Sequence, residues 1–546
     1  MNDPIKQGLA SGWLHLDAST FSDDQQFETD VVIIGTGAGG GMAAEILTQA
    51  GLSVLMLEHG ALHSSSDFRQ QERWAYPHLY QDGAARKTKD QAIAILQGRT
   101  VGGSTTVNWT TSIRTPKPTL DYWHSEFGLD FRQEHGQEQG AEQSTGQGGE
   151  HASEQSLDPY FAKAAGRLHI SEWQVPPNAN NEALRRGCQH LGWQYTVIER
   201  NVHGCANLGY CGMGCPLNAK QSMLVTTIPA ALQAGATLIS KVSARQLLWQ
   251  GDKVTGLLAV PVDSAYQPDP RLTIKIKAKH YIVAGGAINS PALLLRSKVP
   301  NPSGRLGKHT YLHPSVISGA LFDAPIQGHL GAPQSIYSDQ FVWPTGAEMG
   351  FKLEVPPIHP VLMASTLTGM AQFHADMMRQ FNQLQVMIAL LRDGFDPQAQ
   401  GGQVQLDSDG EPVLDYPLTD YIWQGVQKAY LAMAELQFAA GARAVMPVHQ
   451  DALLYSSWQQ AKAAIANLPL AHYRAALASA HVMGGCNMAA SAEKGVVDSY
   501  GNHHQLANLS VFDGSVLPTS LGANPQLTIY GLIWRNSQAL VARLVG

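Results

Sequence analysis

Three of the five cysteines lie close together in the chain, at Cys205, Cys211 and Cys215. Their spacing is C-x5-C-x3-C, with a proline after the last thiol and glycines that let the segment fold around a bound group. Soft thiolates favour iron-sulfur clusters or zinc. The spacing predicts metal or redox chemistry, and the alternative is a structural loop, or one disulfide with a spare thiol. We expect Cys188 and Cys486 to be buried thiols that ligate nothing.

A glycine-rich turn near the N-terminus has the spacing of a dinucleotide-binding motif. A β-rich apolar run at 30–34 precedes Gly35, Gly37 and Gly40, which form the pattern G-x-G-x-x-G before a helix-forming segment. These glycines allow a tight bend, close approach of backbone N–H groups to a pyrophosphate, and close packing of helix on strand. Glu58 ends the next apolar run, where it can accept hydrogen bonds from both ribose hydroxyls of an adenosine. Either NAD or FAD fits this motif.

A second glycine-rich segment distinguishes the two cofactors. Residues 97–108 read Gln-Gly-Arg-Thr-Val-Gly-Gly-Ser-Thr-Thr-Val-Asn, a run that could wrap the rest of a larger cofactor. The segment resembles the G-R-x-x-G-G-S-[ST]-x-x-N signature of the glucose-methanol-choline (GMC) oxidoreductases, flavoenzymes that oxidise alcohols with FAD. The turn at 286–291 is similar to that family's second signature, although Ser-Lys-Val-Pro at 297–300 replaces the expected downstream residues. The resemblance extends from about residue 30 to the C-terminus.

The resemblance implies where FAD would bind. The residues that it assigns to the cofactor, beyond the first glycine turn and Glu58, are Arg99, Gly102, Gly103, Ser104, Asn108, Val242, Asp513, Asn524 and Thr528. Gly102, Gly103 and Ser104 are expected along the pyrophosphate, Asn108 near the isoalloxazine ring, and Asp513 on the ribityl or pyrophosphate side. The backbone of Val242 is expected at the adenine, and an ordinary core valine is the alternative. Val107 replaces the histidine of relatives with covalently attached flavin, so we predict noncovalent FAD.

The resemblance also implies a catalytic pair. His481-Val-Met-Gly-Gly-Cys486 resembles the family's H-x-x-G-[GT]-C segment, which makes His481 the base that removes the hydroxyl proton of an alcohol. Asn524 lies in the family's closing segment, where His or Asn faces the flavin. An unperturbed imidazole pKa of about 6.5 suits a base near neutrality. The amide of Asn524 can donate a hydrogen bond to the substrate oxygen without competing for the proton.

The cysteine segment is similar to the cluster-binding segment of flavin sugar dehydrogenases in this family. That similarity implies a [3Fe-4S] cluster on Cys205, Cys211 and Cys215, which would pass electrons singly from flavin to a cytochrome or quinone. It also implies a small accessory subunit and periplasmic export with that subunit as possibilities. The segment at 216–236 and a predicted helix ending at 388–393 resemble the long-chain alcohol oxidase branch. A methionine-rich stretch around 377–387 is consistent with an apolar substrate, although such a stripe is more often core.

These motifs predict an FAD-dependent alcohol oxidoreductase that acts on a lipophilic alcohol and passes electrons through the cluster. The enzyme alternatives are a sugar dehydrogenase of the same family, and a long-chain alcohol oxidase that uses O₂ and has no cluster. A noncatalytic relative on the same scaffold is the alternative from another class. The presence of both His481 and Asn524 argues against that last alternative.

The elements that must position these residues form an interleaved pattern. The predicted fold class is α/β, with a Rossmann-like FAD-binding domain interleaved with an α+β substrate-binding domain that carries an antiparallel sheet. The predicted boundaries are 28–120, 200–305 and 480–546 for the FAD-binding domain, 308–478 for the substrate-binding domain, and 133–156 for a low-complexity surface insertion.

The composition and charge of the chain argue against several classes of protein. The 546 residues carry a formal charge of -7 without a basic block, which argues against nucleic-acid binding. Apolar residues make up 44% and charged residues only 15%, which indicates a globular chain rather than a disordered one. The sequence lacks the run of about 18 apolar residues that a membrane span needs, and the N-terminus lacks a signal-peptide pattern. We therefore expect a cytoplasmic protein with no transmembrane segment.

Overall fold

The computed structural model of this protein describes residues 3–131 and 156–546. The predicted insertion at 133–156 lies, apart from its last residue, outside the described residues. The helices are α1 Pro4–Ala10, α2 Ala38–Gln49, α3 Glu72–Leu79, α4 Lys117–Phe127, α5 Asp158–Arg167, α6 Ala179–Leu191, α7 Thr227–Gln233, α8 Gly286–Arg296, α9 Pro360–Thr366, α10 Ala371–Arg379, α11 Asp420–Ala439, α12 Trp458–Ile465 and α13 Gln526–Val545.

The strands alternate along the chain with these helices. In chain order they are β1 Leu14–Asp17, β2 Gln25–Ile34, β3 Val54–Leu57, β4 Ile93–Ile95, β5 Ile170–Glu172, β6 Thr196–Val197, β7 Glu199–Asn201, β8 Thr237–Ser240, β9 Val242–Gln250, β10 Lys253–Pro261, β11 Ile274–Val283, β12 Thr310–Leu312, β13 Ser315–Leu321, β14 Ile336–Phe341, β15 Phe351–Glu354, β16 Leu384–Leu391, β17 Gln403–Leu406, β18 Pro412–Asp415, β19 Ala444–Pro447, β20 Leu477–Ser479, β21 Val482–Gly484 and β22 Leu509–Val511.

The first large sheet carries the dinucleotide motif. It has eight strands in the order β1-β8-β3-β2-β11-β10-β9, with β22 paired to β11. The neighbouring strands β1, β8, β3, β2 and β11 pair in parallel, and β22 is parallel to β11. At the other edge, β10 pairs antiparallel with both β11 and β9. Helices α2 and α13 pack together beside this sheet. Parallel strands place their carboxyl ends at one edge, so the turns after β2, β3, β11 and β22 lie together, as the Rossmann-like prediction requires.

The second large sheet is almost entirely antiparallel. Its eight strands run in the order β4-β20-β13-β16-β15-β14-β6, with β19 paired to β13. Each pair is antiparallel except β4 with β20. Helix α11 lies against β13 and β16. The predicted fold class is confirmed, with a parallel nucleotide-binding sheet and an antiparallel second sheet interleaved along the chain.

The helix predicted to end at residues 388–393 is wrong. Residues 384–391 form β16, a central strand between β13 and β15 that is buried along nearly its whole length. A short continuous apolar run does not distinguish a buried strand from a buried helix. Met377 and Met387 are buried in the core at 2% and 0% exposure, so the methionine-rich stretch is packing.

Two further features bear on the sequence predictions. Val242, whose backbone is expected at the adenine, begins a new strand, because Lys241 with a φ of 54° separates β8 from β9. Within residues 3–131 and 156–546, none of the helices combines the length and the hydropathy that crossing a membrane requires.

Candidate active site

A cavity of about 440 Å³ lies at the carboxyl edge of the parallel sheet and extends to the second sheet. Among the predicted site residues, those that line it are Gly35, Gly37, Glu58, Arg99, Gly103, Ser104, Asn108, Val242, His481, Asp513 and Asn524. Three others lie outside its lining. Gly40 is buried in the first turn of α2, Gly102 is buried within the second glycine-rich segment, and Thr528 is fully buried with its hydroxyl 2.8 Å from that of Thr115. The expected place of Thr528 at the cofactor stays a prediction.

The glycines of the first turn serve two different purposes. A Cβ on Gly40 would lie 1.9 Å from the carbonyl oxygen of Gly35, and one on Gly39 would lie 1.7 Å from that of Phe512. These two positions bring the start of α2 against the neighbouring backbone. A Cβ on Gly37 would meet nothing nearer than Gly103 Cα at 3.9 Å, so Gly37 is open toward the cavity. Gly39 is thus a packing glycine that the G-x-G-x-x-G pattern does not identify.

Two carboxylates hold the turns that form the cavity. Glu58 Oε2 accepts hydrogen bonds from Thr36 N at 3.1 Å and Thr36 Oγ1 at 2.5 Å, and Glu58 Oε1 accepts one from Gly60 N at 2.9 Å. Asp513 Oδ2 accepts hydrogen bonds from Gly286 N and Ser290 Oγ at the second turn. Burial raises the pKa of both carboxyls, which the hydrogen bonds oppose. Both acids therefore fix backbone around the cofactor position as well as lining it.

Arg86 is a cofactor-side residue that the sequence motifs do not indicate. Its side chain lines the cavity and is only 8% exposed. Arg86 Nη1 donates to Gln97 Oε1 at 2.9 Å and Nη2 to Asn289 Oδ1 at 3.4 Å. Among the described residues no carboxylate forms an ion pair with this guanidinium, although the charges of Asp82 and Glu411 act on it from further away. A buried cation held only by neutral acceptors favours an anionic ligand beside it.

Replacing Arg86 with methionine is expected to raise the Kd of FAD by about 10- to 100-fold, because the cavity loses a buried cation that favours an anionic ligand. Titration of the FAD-free protein, followed by flavin fluorescence, measures this effect. ADP competes with FAD and carries the same pyrophosphate, so its affinity should fall in parallel while that of adenosine should not. Arg86→Lys keeps the charge and should retain most of the affinity. Equal losses for ADP and adenosine would contradict this role.

His481 and Asn524 converge in the cavity, although 43 positions separate them in sequence. Asn524 Nδ2 lies 3.5 Å from His481 Nε2, and His481 Nδ1 lies 2.9 Å from His313 Nδ1. Burial, together with the charge of Lys352, lowers the pKa of His481 to about 4. Burial and the neighbouring imidazole of His481 also hold the pKa of His313 well below its usual range. Both imidazoles are therefore neutral at neutral pH.

The hydrogen bonds of the two imidazoles constrain their tautomers. Gly522 N donates to His313 Nε2 at 3.3 Å, which leaves the proton of neutral His313 on Nδ1. The Asn524 contact likewise requires an unprotonated Nε2 on His481 and a proton on its Nδ1. Two N–H groups cannot face each other at 2.9 Å, so only one of these two contacts is made at a time. In the tautomer in which His481 Nδ1 donates to His313, His481 Nε2 carries no proton and can accept one.

Glu354 is a second residue that sequence reasoning missed. Its Oε2 accepts hydrogen bonds from Gln334 Nε2 at 2.7 Å and from Asn524 Nδ2 at 3.4 Å, and its Oε1 is buried without a hydrogen-bond partner. Burial raises the pKa of Glu354 to about 7, against the opposing charge of Lys352. The carboxylate orients the Asn524 amide. In sequence, Phe-Lys-Leu-Glu at 351–354 alternates like a half-exposed strand, so nothing local indicates a buried acid.

The side chain of Asn108 bonds to protein rather than projecting freely. Asn108 Nδ2 donates to Gln526 Oε1 at 2.6 Å, and Gln526 Nε2 donates to Thr111 O at 2.7 Å. Gln526 lies two residues beyond Asn524, at the start of α13. These bonds connect the segment predicted to contact flavin with the segment that carries Asn524.

The cysteine segment does not form the predicted ligand set. Cys205, Cys211 and Cys215 are all free thiols of intermediate exposure. Across residues 3–131 and 156–546, no three His, Cys, Asp or Glu side chains are grouped so that they could hold a metal ion. The [3Fe-4S] prediction is therefore not supported, because local spacing does not ensure that the three sulfur atoms point to one centre. Cys188 and Cys486 are fully buried, as the sequence predicts.

A parallel sheet with glycine turns, and a cavity that runs from those turns to a neutral imidazole and an amide, define a dinucleotide-dependent oxidoreductase. GMC oxidoreductase family models match residues 76–315 for the N-terminal domain and 397–532 for the C-terminal domain. The chain belongs to the GMC oxidoreductase family. It is accordingly an FAD-dependent oxidoreductase that acts on alcohol-type donors.

Individual relatives agree with this assignment. A long-chain-alcohol oxidase of Arabidopsis thaliana is 27% identical over 540 residues, which cover 94% of this chain and 69% of the relative. An uncharacterized GMC-type oxidoreductase of Sinorhizobium fredii is 27% identical over 526 residues, which cover 96% of both chains. The crystal structure of pyridoxine 4-oxidase from Mesorbium loti matches with a TM-score of 0.65 at 16% identity, covering 94% of this chain and 99% of that chain. This last similarity concerns the fold alone.

Proposed function

We propose that this protein oxidises a lipophilic primary or secondary alcohol to the carbonyl compound, with His481 as the base. The observation that carries the proposal is the 3.5 Å contact between His481 Nε2 and Asn524 Nδ2 in the cavity that the dinucleotide turns line. FAD, when bound, accepts the hydrogen that leaves carbon as hydride and passes its electrons to an acceptor. The residues of the chain must then remove the hydroxyl proton and hold the oxygen.

The described side chains can perform both tasks. His481 is neutral because burial depresses its pKa, and its Nε2 accepts the hydroxyl proton when His481 Nδ1 donates to His313. Asn524 Nδ2 donates to the substrate oxygen, and Glu354 holds that amide in the required orientation. These roles keep the oxygen fixed while the proton leaves, which favours loss of hydride from the same carbon.

An apolar side cavity supports a lipophilic substrate. A space of about 170 Å³ adjoins the cofactor cavity and shares Tyr80, Leu96 and Trp109 with it. Its lining is otherwise mostly apolar, with Met213 and Leu362 among the side chains. Each buried methylene contributes about 0.8 kcal/mol to binding, so an alkyl chain in this space would raise affinity. Several relatives are named long-chain-alcohol oxidases, in agreement with this substrate class.

Dioxygen is the electron acceptor that we propose. The three thiols do not form a ligand group among the described residues, so we route no electron through a cluster. The named relatives of known activity are called oxidases. An oxygen electrode should therefore show one O₂ consumed for each carbonyl product. A peroxide assay should show one hydrogen peroxide formed. Iron analysis and an electron paramagnetic resonance spectrum of the purified protein test the cluster directly.

A substrate screen under anaerobic conditions tests the proposed function. Long-chain alcohols should bleach the flavin faster than short alcohols, and hexoses should leave it oxidised. Bleaching by hexoses alone would establish a sugar dehydrogenase instead. A flavin that none of these alcohols reduces would contradict the proposal.

The pH dependence of kcat/KM should follow the protonation of His481. Because burial lowers its pKa to about 4, the base form persists as the pH falls, and activity should be lost only as the pH passes downward through about 4. An ordinary histidine would lose half of its base form near pH 6.5. A midpoint near 7 in the wild type that disappears in Glu354→Gln would show that ionised Glu354 is required instead, since burial raises its pKa to about 7.

A further inference from the structure

The loop that carries Cys211 packs against two buried cations. Arg200 in β7 is 0% exposed, and Lys220 is 3% exposed. Arg200 Nη2 lies 3.6 Å from Cys211 Sγ, and Lys220 Nζ donates to the carbonyl oxygen of Cys211 at 2.7 Å. The guanidinium of Arg200 therefore lies against the thiol, while the ammonium group of Lys220 binds the backbone of the same residue.

The other partners of these cations are neutral. Arg200 Nε donates to Thr110 Oγ1 at 2.7 Å, and Arg200 Nη1 is buried without a hydrogen-bond partner. Lys220 Nζ also donates to the carbonyl oxygens of Thr106 and Asn108. In the part of the chain that the structure describes, neither cation forms an ion pair with a carboxylate. Burying such charges is costly unless an anion compensates them.

Two of the cysteines lie within electrostatic reach of these cations. Burial lowers the pKa of Lys220 to about 8; Arg200 adds to this shift, and the sulfur groups of Cys211 and Cys215 oppose it. Arg200 Nη2 contacts Cys211 Sγ directly, which places a buried positive charge beside this sulfur. Positive charge beside a cysteine sulfur favours its reaction as a nucleophile.

Cys205 is placed as a partner for Cys211. Both line a small cavity of about 30 Å³ together with Arg200, whereas Cys215 does not line it. Burial raises the pKa of Cys205, so this residue remains a thiol that can resolve an oxidised neighbour. Cys188 and Cys486 are fully buried elsewhere in the chain and serve as internal references.

We propose that the Cys211 sulfur, beside the guanidinium of Arg200, reacts with peroxide and that Cys205 resolves the product to a reversible disulfide. Attack of the thiolate on hydrogen peroxide forms an S–O bond, breaks the O–O bond and releases hydroxide, so the sulfur becomes a sulfenic acid. Cys205 sulfur then displaces the sulfenic oxygen, and its proton leaves with that oxygen as water. Two thiols and one peroxide thus give one disulfide and two waters. Peroxide is the product of the proposed oxidase, but the step requires only that peroxide be present.

Peroxide treatment of the FAD-loaded protein without alcohol tests this inference, so its result does not depend on the proposed function. We expect two of the five thiols to disappear, to return with dithiothreitol, and to map by peptide mass spectrometry to Cys205 and Cys211. In Cys205→Ser, dimedone should label Cys211 as the sulfenic acid. In Cys211→Ser, the rate of thiol loss should fall at least about tenfold. Cys215→Ser is the matched control and should oxidise like the wild type.

Arg200→Met should slow the oxidation at least about tenfold and Arg200→Lys should not, since only the former removes the charge. If Arg200→Met does not fold, the oxidation of the three cysteine variants tests the inference without it. A disulfide that contains Cys215, equal oxidation rates for Cys211→Ser and the wild type, or iron bound by these thiols in the purified protein would each overturn the inference.

Discussion

Alanine in place of His481 is expected to lower the rate of flavin reduction by alcohol about 10²- to 10⁴-fold, the range that one positioned general base contributes. Asn524 remains to hold the substrate oxygen, but the ring nitrogen Nε2 that accepts the hydroxyl proton is gone. FAD should stay bound, because the turns that line the cofactor cavity are unchanged. Anaerobic stopped-flow mixing measures the reduction rate, and the visible flavin absorbance of the purified variant measures cofactor content.

Two variants make the His481 result interpretable. His190→Ala removes an exposed histidine of α6, far from the cavity lining, and should behave like the wild type. His481→Gln keeps a polar side chain beside His313 but cannot accept a proton at the ring position, so it should be nearly as slow as the alanine variant. A His481→Ala protein that keeps more than about a tenth of the wild-type reduction rate would refute the assignment.

Alanine at Gly39 is expected to destabilise the protein by about 3 kcal/mol or more, which is the upper part of the range for overpacking a tight contact. Its Cβ would lie 1.7 Å from the carbonyl oxygen of Phe512, so α2 must move away from the backbone that leads to Asp513. Because that movement displaces the turns at the cofactor, we also expect little FAD in the purified variant. Thermal unfolding of the FAD-free protein separates this effect from the stabilisation that bound FAD adds.

Gly37→Ala is the matched control for this prediction. Its Cβ finds open space, with the nearest heavy atom at 3.9 Å, and its φ of -68° suits an L residue. The FAD-free Gly37→Ala protein should therefore unfold at the wild-type temperature. Since Gly37 lines the cavity, the same variant should bind FAD more weakly. Equal unfolding temperatures for the Gly39 and Gly37 variants would show that α2 can shift at no cost.

Local patterns predicted His481, Asn524 and several of the other residues that line the cavity. The residues around His481, and those around Asn524, occur in short segments whose types and spacing are informative by themselves. The structure brings these segments together, at 3.5 Å between the two side chains. The same approach failed at residues 384–391, because burial on both faces removes the periodicity that would identify a strand.

Local sequence patterns could not have identified Arg86 and Glu354. Each is a charged residue in a segment that reads as ordinary surface, and each matters because packing buries it beside the cavity or beside Asn524. For Cys211, the local pattern predicted a role that the structure does not support. Its spacing suggested a metal ligand, whereas in the structure its sulfur lies beside Arg200 and its carbonyl oxygen accepts a hydrogen bond from Lys220.

The sequence by itself determined that this chain has a dinucleotide-binding turn and belongs among flavin-dependent alcohol oxidoreductases, and it predicted a histidine and an asparagine for the chemistry. Those features depend on backbone turns and on the chemistry of single side chains, which a few adjacent residues specify. Only the tertiary structure decided which charges are buried, which imidazole nitrogen can accept a proton, and which glycines are needed for packing. Each of these depends on atoms from segments far apart in the chain, because desolvation and close contact arise only when those segments pack together.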